Sequence, residues 1–547
     1  MLDFTRHFAT RVRAMLTPQS EPVPGSGQVP NSAGGYAWAI NPWDRLDRFL
    51  VLGSEGGTYY VGERRLTLEN AHAVAGCIAE DGPRVVARAV EMSESGRAPK
   101  NDPALFVLAM AAGLGDEPTR AAALAELPRV ARTGTHLFHW LQYVRGFRGW
   151  GRGVRRAVAG WYTQKAPREL AYQLLKYPSR DGWSHRDALR LAHPRPATDE
   201  QRALFARAVS RSRDAVEGEG GALALVRAAD RLHADAEMDP RQAAAVIREN
   251  RLTREMVPTP LLAHPAVWEA LLEEMPLTAL IRNLATMTRV GLVAPGSAAS
   301  RKVAERIGDA GALQRARVHP VQVLSALRTY ASGRGVRGQA VWQPVAEVVD
   351  ALDAAVYLAF GSVQPARRRM MLALDVSGSM TASVLGMDHL SCREASAAMA
   401  LVTAATEPEH FFTAFTAGSY ASRWGGTSSG LSPLSISPRQ RLDDVVQSIS
   451  SFPFGGTDCA LPMMEAEKHR WPVDVFVVYT DNETWAGSIH PAQALRRYRE
   501  RMGIAAKLVV VAMASNGFSI ADPDDAGMLD VVGFDAAAPQ LIADFAR

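Results

Sequence analysis

The amino-acid sequence predicts two architectures in series: a helical solenoid, then a doubly wound, Rossmann-like α/β domain. Three observations carry this expectation. Between about residues 66 and 360, apolar side chains recur at three- and four-residue spacing, as in helices buried on one face. From 368 the pattern changes to short, nearly continuous apolar runs separated by helical stretches, which buried parallel strands with crossover helices require. The charge changes at the same place. Residues 368–547 hold 14 Lys and Arg against 20 Asp and Glu, a balance of −6, whereas residues 1–367 carry +10.

The 547 residues exceed what one hydrophobic core normally serves. Residues 1–35 open the chain, and their stretch TPQSEPVPGSGQVPNSAGG, rich in Pro, Gly and Ser, reads as a flexible arm. Residues 36–367 form the helical part. Its clearest amphipathic segments are LTLENAHAVAGCIAED, PALFVLAMAAGL, TRAAALAELPRVA, DEQRALFARAVSRS, GALALVRAADRLHA and VQVLSALRTYA, cut apart by Gly or Pro. No strict period is visible. Irregular helix pairs of HEAT type fit better than a single bundle, because nearly 300 residues is long for one bundle; a large bundle has the same local pattern. In residues 368–547 the strands are MLALDV, HFFTAFT, VDVFVVYTD and KLVVVAM. The helices between and after them are SCREASAAMALVTAAT, PRQRLDDVVQSIS, ALPMMEAEKHR and PAQALRRYRER.

Composition narrows the class. At 47% hydrophobic and 22% charged the chain is ordinary globular material. No apolar run approaches the roughly 20 residues of a membrane helix. The N-terminal MLDFTRHFATRVRAML lacks the apolar core and cleavage site of a secretory signal. Cys77, Cys392 and Cys459 lie far apart without metal-ligand spacing and read as buried thiols in a reducing compartment. A cytoplasmic protein without a membrane partner is expected. Arginine makes up 55 of the 61 basic residues, which suits phosphate forks and base stacking, although a GC-rich genome gives the same bias.

Doubly wound sheets bind ligands at the carboxyl ends of their strands. There the sequence puts Asp375-Val-Ser377-Gly-Ser379 after the first strand and Thr480-Asp481 at the end of the third, with Phe454-Gly-Gly-Thr457-Asp458 between them. Two carboxylates and three hydroxyls make an all-oxygen shell of the kind Mg²⁺ or Mn²⁺ accepts. The pattern resembles the metal-ion-dependent adhesion site of the von Willebrand factor A family. The resemblance implies metal ligation by Asp375, Ser377, Ser379, Thr457 and Asp481, with one position open for an acidic group of a protein partner. Asp458 and Glu483 read as structural carboxylates. No nucleophile–base pair stands near the motif, so ligand capture rather than catalysis is expected.

In the helical part the most informative segment is 161–196. Ser184-His185-Arg186-Asp187 is a capping-box pattern, which sets His185 and Arg186 in the first turn of a helix where backbone N–H groups attract phosphate. Lys165, Arg168, Lys176, Tyr177, Arg180 and Trp183 lie just upstream, cations interleaved with aromatics as unpaired bases require. A solvated helix start with Trp183 packed as a lid has the same pattern. The segment resembles the signature of the Ro autoantigen family, whose domain is called TROVE. So do Phe49–Tyr60, Ile281-Arg282-Asn283-Leu284 with Met287-Thr288, and His319-Pro320 through Asp350–Ala355, in family order.

That resemblance implies HEAT-like helices closed into a ring, Y RNA bound on a basic ring surface, and single-stranded ends of misfolded or precursor RNAs in the hole. It further implies assistance to 3′-to-5′ exoribonucleases such as polynucleotide phosphorylase in RNA quality control, ribosomal RNA maturation and stress response. RNA contact carries over to Lys165, Lys176, Arg180 and His185. Pro178 and Thr286 stand where a Lys is usual, each removing a phosphate contact and implying weaker or differently arranged RNA binding, which Arg289 near Thr286 could offset. The alternative is a metal-dependent protein-assembly module that works without RNA.

Overall fold

The computed structural model describes residues 16–210, 221–336, 339–361, 363–384, 387–417, 430–437, 440–450 and 455–547. They fall into two compact units. One comprises Phe49–Gly53 and Ala71–Gly361; the other comprises the chain up to Arg48, Ser54–Asn70 and the chain from 363 onward.

The first unit is helical, as the periodicity predicts. Prolines that read as breaks in the sequence are helix starts: Pro167, Pro240, Pro265 and Pro320 each sit in the first turn of Pro167–Lys176, Pro240–Asn250, Pro265–Glu274 and Pro320–Ala331. At that position the missing N–H costs no hydrogen bond. Side chains of Thr133, Ser184, Thr198 and Ser297 cap other starts, and that of Asp239 caps Pro240–Asn250 as well. Helices pack mainly on near neighbours in sequence, as in a solenoid, around buried Phe138, Trp140, Trp161, Tyr162 and Trp268. The succession also closes on itself. The His319 Nε2–H donates to the Arg97 carbonyl (3.0 Å) and Gln322 Nε2 to that of Pro99 (2.6 Å), so the late helix Pro320–Ala331 meets the loop that precedes Asp102–Leu114.

The second unit contains a six-stranded sheet, ordered Met528–Val532, Lys507–Ala512, Val475–Thr480, Met370–Asp375, His410–Phe415, Leu431–Leu434. All pairs are parallel except the last. The four strands expected from sequence are its centre, fully buried in Met370–Asp375 and Val475–Thr480. The two edge strands, Leu431–Leu434 and Met528–Val532, are short and only partly buried, so they carry no continuous apolar run. Connections from Met370–Asp375 run to one side and later ones to the other. The switch point therefore lies between Asp375 and Thr480, neighbours through the register Leu374↔Tyr479.

The N-terminal stretch corrects the sequence reading. From Leu16 onward it is not a flexible arm but part of this second unit. Gln28–Pro30 pairs with Tyr36–Ala39, which pairs with Phe518–Ser519. Gln19 is fully buried; its Nε2 donates to Asp458 Oδ1 (2.7 Å) and to the Ile489 carbonyl (2.8 Å). Asn31 Nδ2 donates to the Thr484 carbonyl (2.6 Å) and Gln28 Nε2 meets His490 Nδ1 (3.1 Å). Composition marks this stretch as loop, yet Gln19, Gln28 and Asn31 are hydrogen-bonded to residues more than 400 positions away. The boundary at residue 35 is likewise displaced, since the chain up to Arg48 and Ser54–Asn70 belong with the α/β unit.

Candidate nucleic-acid interface and candidate metal centre

The segment 176–187 folds as a hairpin leading into a helix. Ser179–Arg180 pairs with Trp183–Ser184 across Asp181-Gly182, both at positive φ (52° and 77°), as a two-residue turn matching strand twist needs. The Asp-Gly dipeptide is itself a hairpin turn signal. Asp181 is held by His139, whose Nδ1 lies 2.5 Å from its Oδ2. Ser184 then caps His185–Ala192 with the expected capping box: its hydroxyl accepts from Asp187 N (3.3 Å) and its own N–H donates to Asp187 Oδ2 (3.1 Å). The outcome is a stiff projection. Arg180 stands on it with 60% of its side chain exposed, and half-buried Trp183 lies almost parallel to Trp150, ring centres 6.3 Å apart.

The four expected RNA contacts are not equivalent. Arg180 is displayed. Lys176 is half-buried, its ammonium donating to the Tyr172 hydroxyl (2.6 Å) and lying 5.0 Å from that ring's centre. Lys165 is 11% exposed at its side chain, paired with Glu169 (2.8 Å) and set 4.5 Å over the Trp161 ring. Of the two departures, Pro178 is exposed before the hairpin, whereas Thr286 is half-buried in Leu277–Arg289 with Arg289 exposed one residue short of a turn away.

His185 requires a correction. It lies in the first helical turn as expected, but it is 4% exposed and faces inward. A carbonyl only accepts, so Nε2–H donates to the Gln173 carbonyl (3.2 Å) and Nδ1 is left to accept from the Tyr162 hydroxyl (2.7 Å). Phe138 packs edge-on at 4.8 Å. Burial drives its pKa down to about 4, so the ring is neutral. Gly134 lies so close that a Cβ there would sit 3.0 Å from His185 Nε2 and 2.9 Å from Tyr177 Cβ. His185 therefore positions the hairpin and helix start from beneath rather than standing on their exposed surface, and it also lines a cavity beside the hairpin. A capping box fixes which turn a residue occupies but not the direction in which its side chain points.

In the α/β unit the five expected metal ligands converge at the switch point, all buried. Asp375 Oδ1 accepts from Ser377 N (2.9 Å) and its Oδ2 from the Thr480 hydroxyl (2.7 Å). The hydroxyls of Ser377 and Ser379 are 3.1 Å apart. Thr457 Oγ1 is buried with no hydrogen-bond partner among the described residues. Phe454 of that loop lies outside the described residues. Its glycines are needed for close approach: a Cβ on Gly455 would meet the Ala417 carbonyl at 2.4 Å, and one on Gly456 the Trp485 ring at 2.7 Å.

This arrangement fits a small divalent cation. Two buried carboxylates face one another's charge, and burial raises the pKa of Asp375 and, together with Asp375, that of Asp481. Among the described residues no group of three or more His, Cys, Asp or Glu is arranged to hold a metal ion, so an ion here would rest on two carboxylates and three hydroxyls. Asp458 and Glu483 are tied to the N-terminal stretch: Asp458 accepts from Gln19, and Glu483 Oε2 accepts from Ala33 N (3.0 Å), while Glu483 Oε1 is buried with no hydrogen-bond partner among the described residues. Two supports were not legible in the sequence. Asn516 Nδ2 donates to the Asp481 carbonyl (2.6 Å), and fully buried Arg48 holds Asn516 Oδ1 (3.0 Å) while pairing with Asp530 (2.5 Å).

A self-closing helical unit with a cation-and-aromatic projection, joined in one chain to a doubly wound unit with an all-oxygen switch-point site, defines a two-part class of protein. The comparisons place the chain within it. The model described as the TROVE domain matches residues 29–328, and that described as the Ro60 vWA domain matches 369–546. The chain belongs to the Ro60 family of TROVE proteins. It is 44% identical to "RNA-binding protein RO60" of Deinococcus radiodurans over 539 residues, 98% of either chain. It is 36% identical to the protein of the same description from Caenorhabditis elegans, covering 95% of this chain and 90% of that one. The crystal structure of Deinococcus radiodurans RO (RSR) protein superposes with a TM-score of 0.69 at 43% identity, over 92% of this chain and 99% of that chain. No described helix is long and apolar enough to cross a membrane.

Proposed function

We propose that the protein is an RNA-binding scaffold of the cytoplasm without catalysis of its own. On this reading a small noncoding Y RNA lies on the basic surface of the helical unit, and single-stranded ends of misfolded or precursor RNAs enter its ring. The bound RNAs are presented to a 3′-to-5′ exoribonuclease such as polynucleotide phosphorylase, in ribosomal RNA maturation and under stress. The observation that supports it most is the stiff hairpin that displays Arg180 beside the Trp150–Trp183 pair, a phosphate contact next to a stacking platform. The two relatives described as RNA-binding proteins support the same reading. The test is retention of RNA through purification, followed by sequencing of what co-purifies, with gel retardation of a Y-like RNA at low and high salt. Failure to retard any such RNA at low salt would overturn it.

A second reading concerns the α/β unit and stands on the unpartnered Thr457 hydroxyl among buried carboxylates. Here Mg²⁺ or Mn²⁺ is held by Asp375, Ser377, Ser379, Thr457 and Asp481. When bound, the ion supplies a Lewis-acid position for a partner's carboxylate. Loss of protein partners on Asp375→Ala, insensitive to RNase, would show that this site acts independently of RNA.

A further inference from the structure

A cavity of about 430 Å³ opens beside the hairpin, within the roughly 300–1,000 Å³ that small organic ligands occupy. Leu174, Leu175, Leu204, Val226 and Met256 give it aliphatic walls. Its polar groups are of both signs. Arg186, the second residue of the capped helix, lines it, and its Nε is shielded from solvent with no hydrogen-bond partner among the described residues. Glu255 reaches the same cavity from the turn Arg254–Met256. Arg207 and Asp230, 2.5 Å apart, form a closed ion pair in the lining and satisfy each other. Pro178 and Ser184 belong both to this lining and to the ends of the hairpin segment, so the cavity is continuous with the surface that displays Arg180.

A ligand matching this lining needs flat apolar faces for the aliphatic walls, an acceptor for the Arg186 guanidinium and donors for a carboxylate. A simple anion meets only the second demand. Among the four RNA bases, guanine meets all three: O6 and N7 accept, while N1–H and the N2 amino group donate side by side. Adenine presents an acceptor, N1, where guanine donates, and the pyrimidines have no such pair of donors. We propose that this cavity captures one unpaired guanine of a bound RNA strand, Arg186 reading its acceptor edge and Glu255 its donor edge. The proposal rests on the RNA-binding reading and adds a base preference to it.

The test uses the full chain and three 12-nucleotide strands followed by fluorescence polarisation: oligo(U), oligo(U) with one central G, and oligo(U) with one central A. The G strand binds roughly tenfold more tightly than the other two, the discrimination expected of one well-made base contact. Glu255→Gln, at an exposed position, and Arg186→Leu each bring the ratio of G-strand to U-strand affinity close to one. Equal affinities in the wild type, or a ratio that survives both substitutions, overturn the guanine pocket alone. Binding of none of the strands, nor of a Y-like RNA, overturns the RNA reading and the pocket with it.

Discussion

Replacing His185 by alanine tests whether this histidine acts from beneath the surface or upon it. The imidazole is 4% exposed, so its removal leaves a hole between Phe138, Tyr162 and Gln173. The Tyr162 hydroxyl and the Gln173 carbonyl each lose a partner in a dry place, at about 1–3 kcal/mol apiece. Lost packing adds a further ~1 kcal/mol, and partial relaxation offsets some of the total. A destabilisation of about 3–4 kcal/mol follows. Hydrogen exchange followed by mass spectrometry reads it locally: amides of the helices Gly134–Phe147, Pro167–Lys176 and His185–Ala192 exchange on the order of a hundredfold faster, while the α/β unit is unchanged. Tyr162→Phe, which leaves only Nδ1 unpartnered, costs about 1–2 kcal/mol in the same region. RNA affinity falls in step with the loosened hairpin. If His185→Ala kept wild-type exchange rates and lost RNA binding all the same, the ring would touch RNA directly and the burial argument would fail.

Other outcomes follow from the same geometry. Burial holds His185 at about 4 and His136 at about 3, both below the ~6.5 of a free imidazole, so the unfolded chain takes up protons that the folded unit refuses. Stability is then full above about pH 7 and falls as pH drops from 6.5 towards 4, by about 3 kcal/mol for His185 alone; a melting temperature equal at pH 7.5 and pH 5 would contradict this. Arg180→Ala weakens RNA binding of every sequence alike and lowers the salt-dependence slope by about 1, measured as affinity against salt concentration. Asp375→Ala abolishes Mn²⁺ binding in a titration followed by electron paramagnetic resonance, whereas Glu483→Gln retains it. Gln19→Ala strips Asp458 and the Ile489 carbonyl of a donor, costs about 2–3 kcal/mol, and exposes the segment 16–35 to limited proteolysis that the wild type resists.

Much of this was legible in the sequence. Period decided class: three- and four-residue spacing made helices, and continuous β-branched runs made the central strands because both faces of a parallel sheet are buried. Spacing singled out the residues of the candidate metal site, since DxSxS, GGTD and a strand-terminal TD are each tied to a strand end or the loop beside it. Ser184 and Asp187 announced a helix start because a capping box is a contact across three residues.

What the sequence did not determine lies in contacts between residues far apart along it. The segment 16–35 looks flexible from Pro, Gly and Ser content, but hydrogen bonds of Gln19, Gln28 and Asn31 to residues 458–490 fix it, and no local pattern encodes such pairs. The capping box puts His185 in the first turn but does not set the side it faces, because a helix start does not say which neighbours close over it. The support of Asp481 through Asn516 and Arg48 joins residues from both ends of the chain. Local chemistry thus set the elements and the donor types. Tertiary packing decided burial, and with it which charged and polar groups face solvent, a partner or one another.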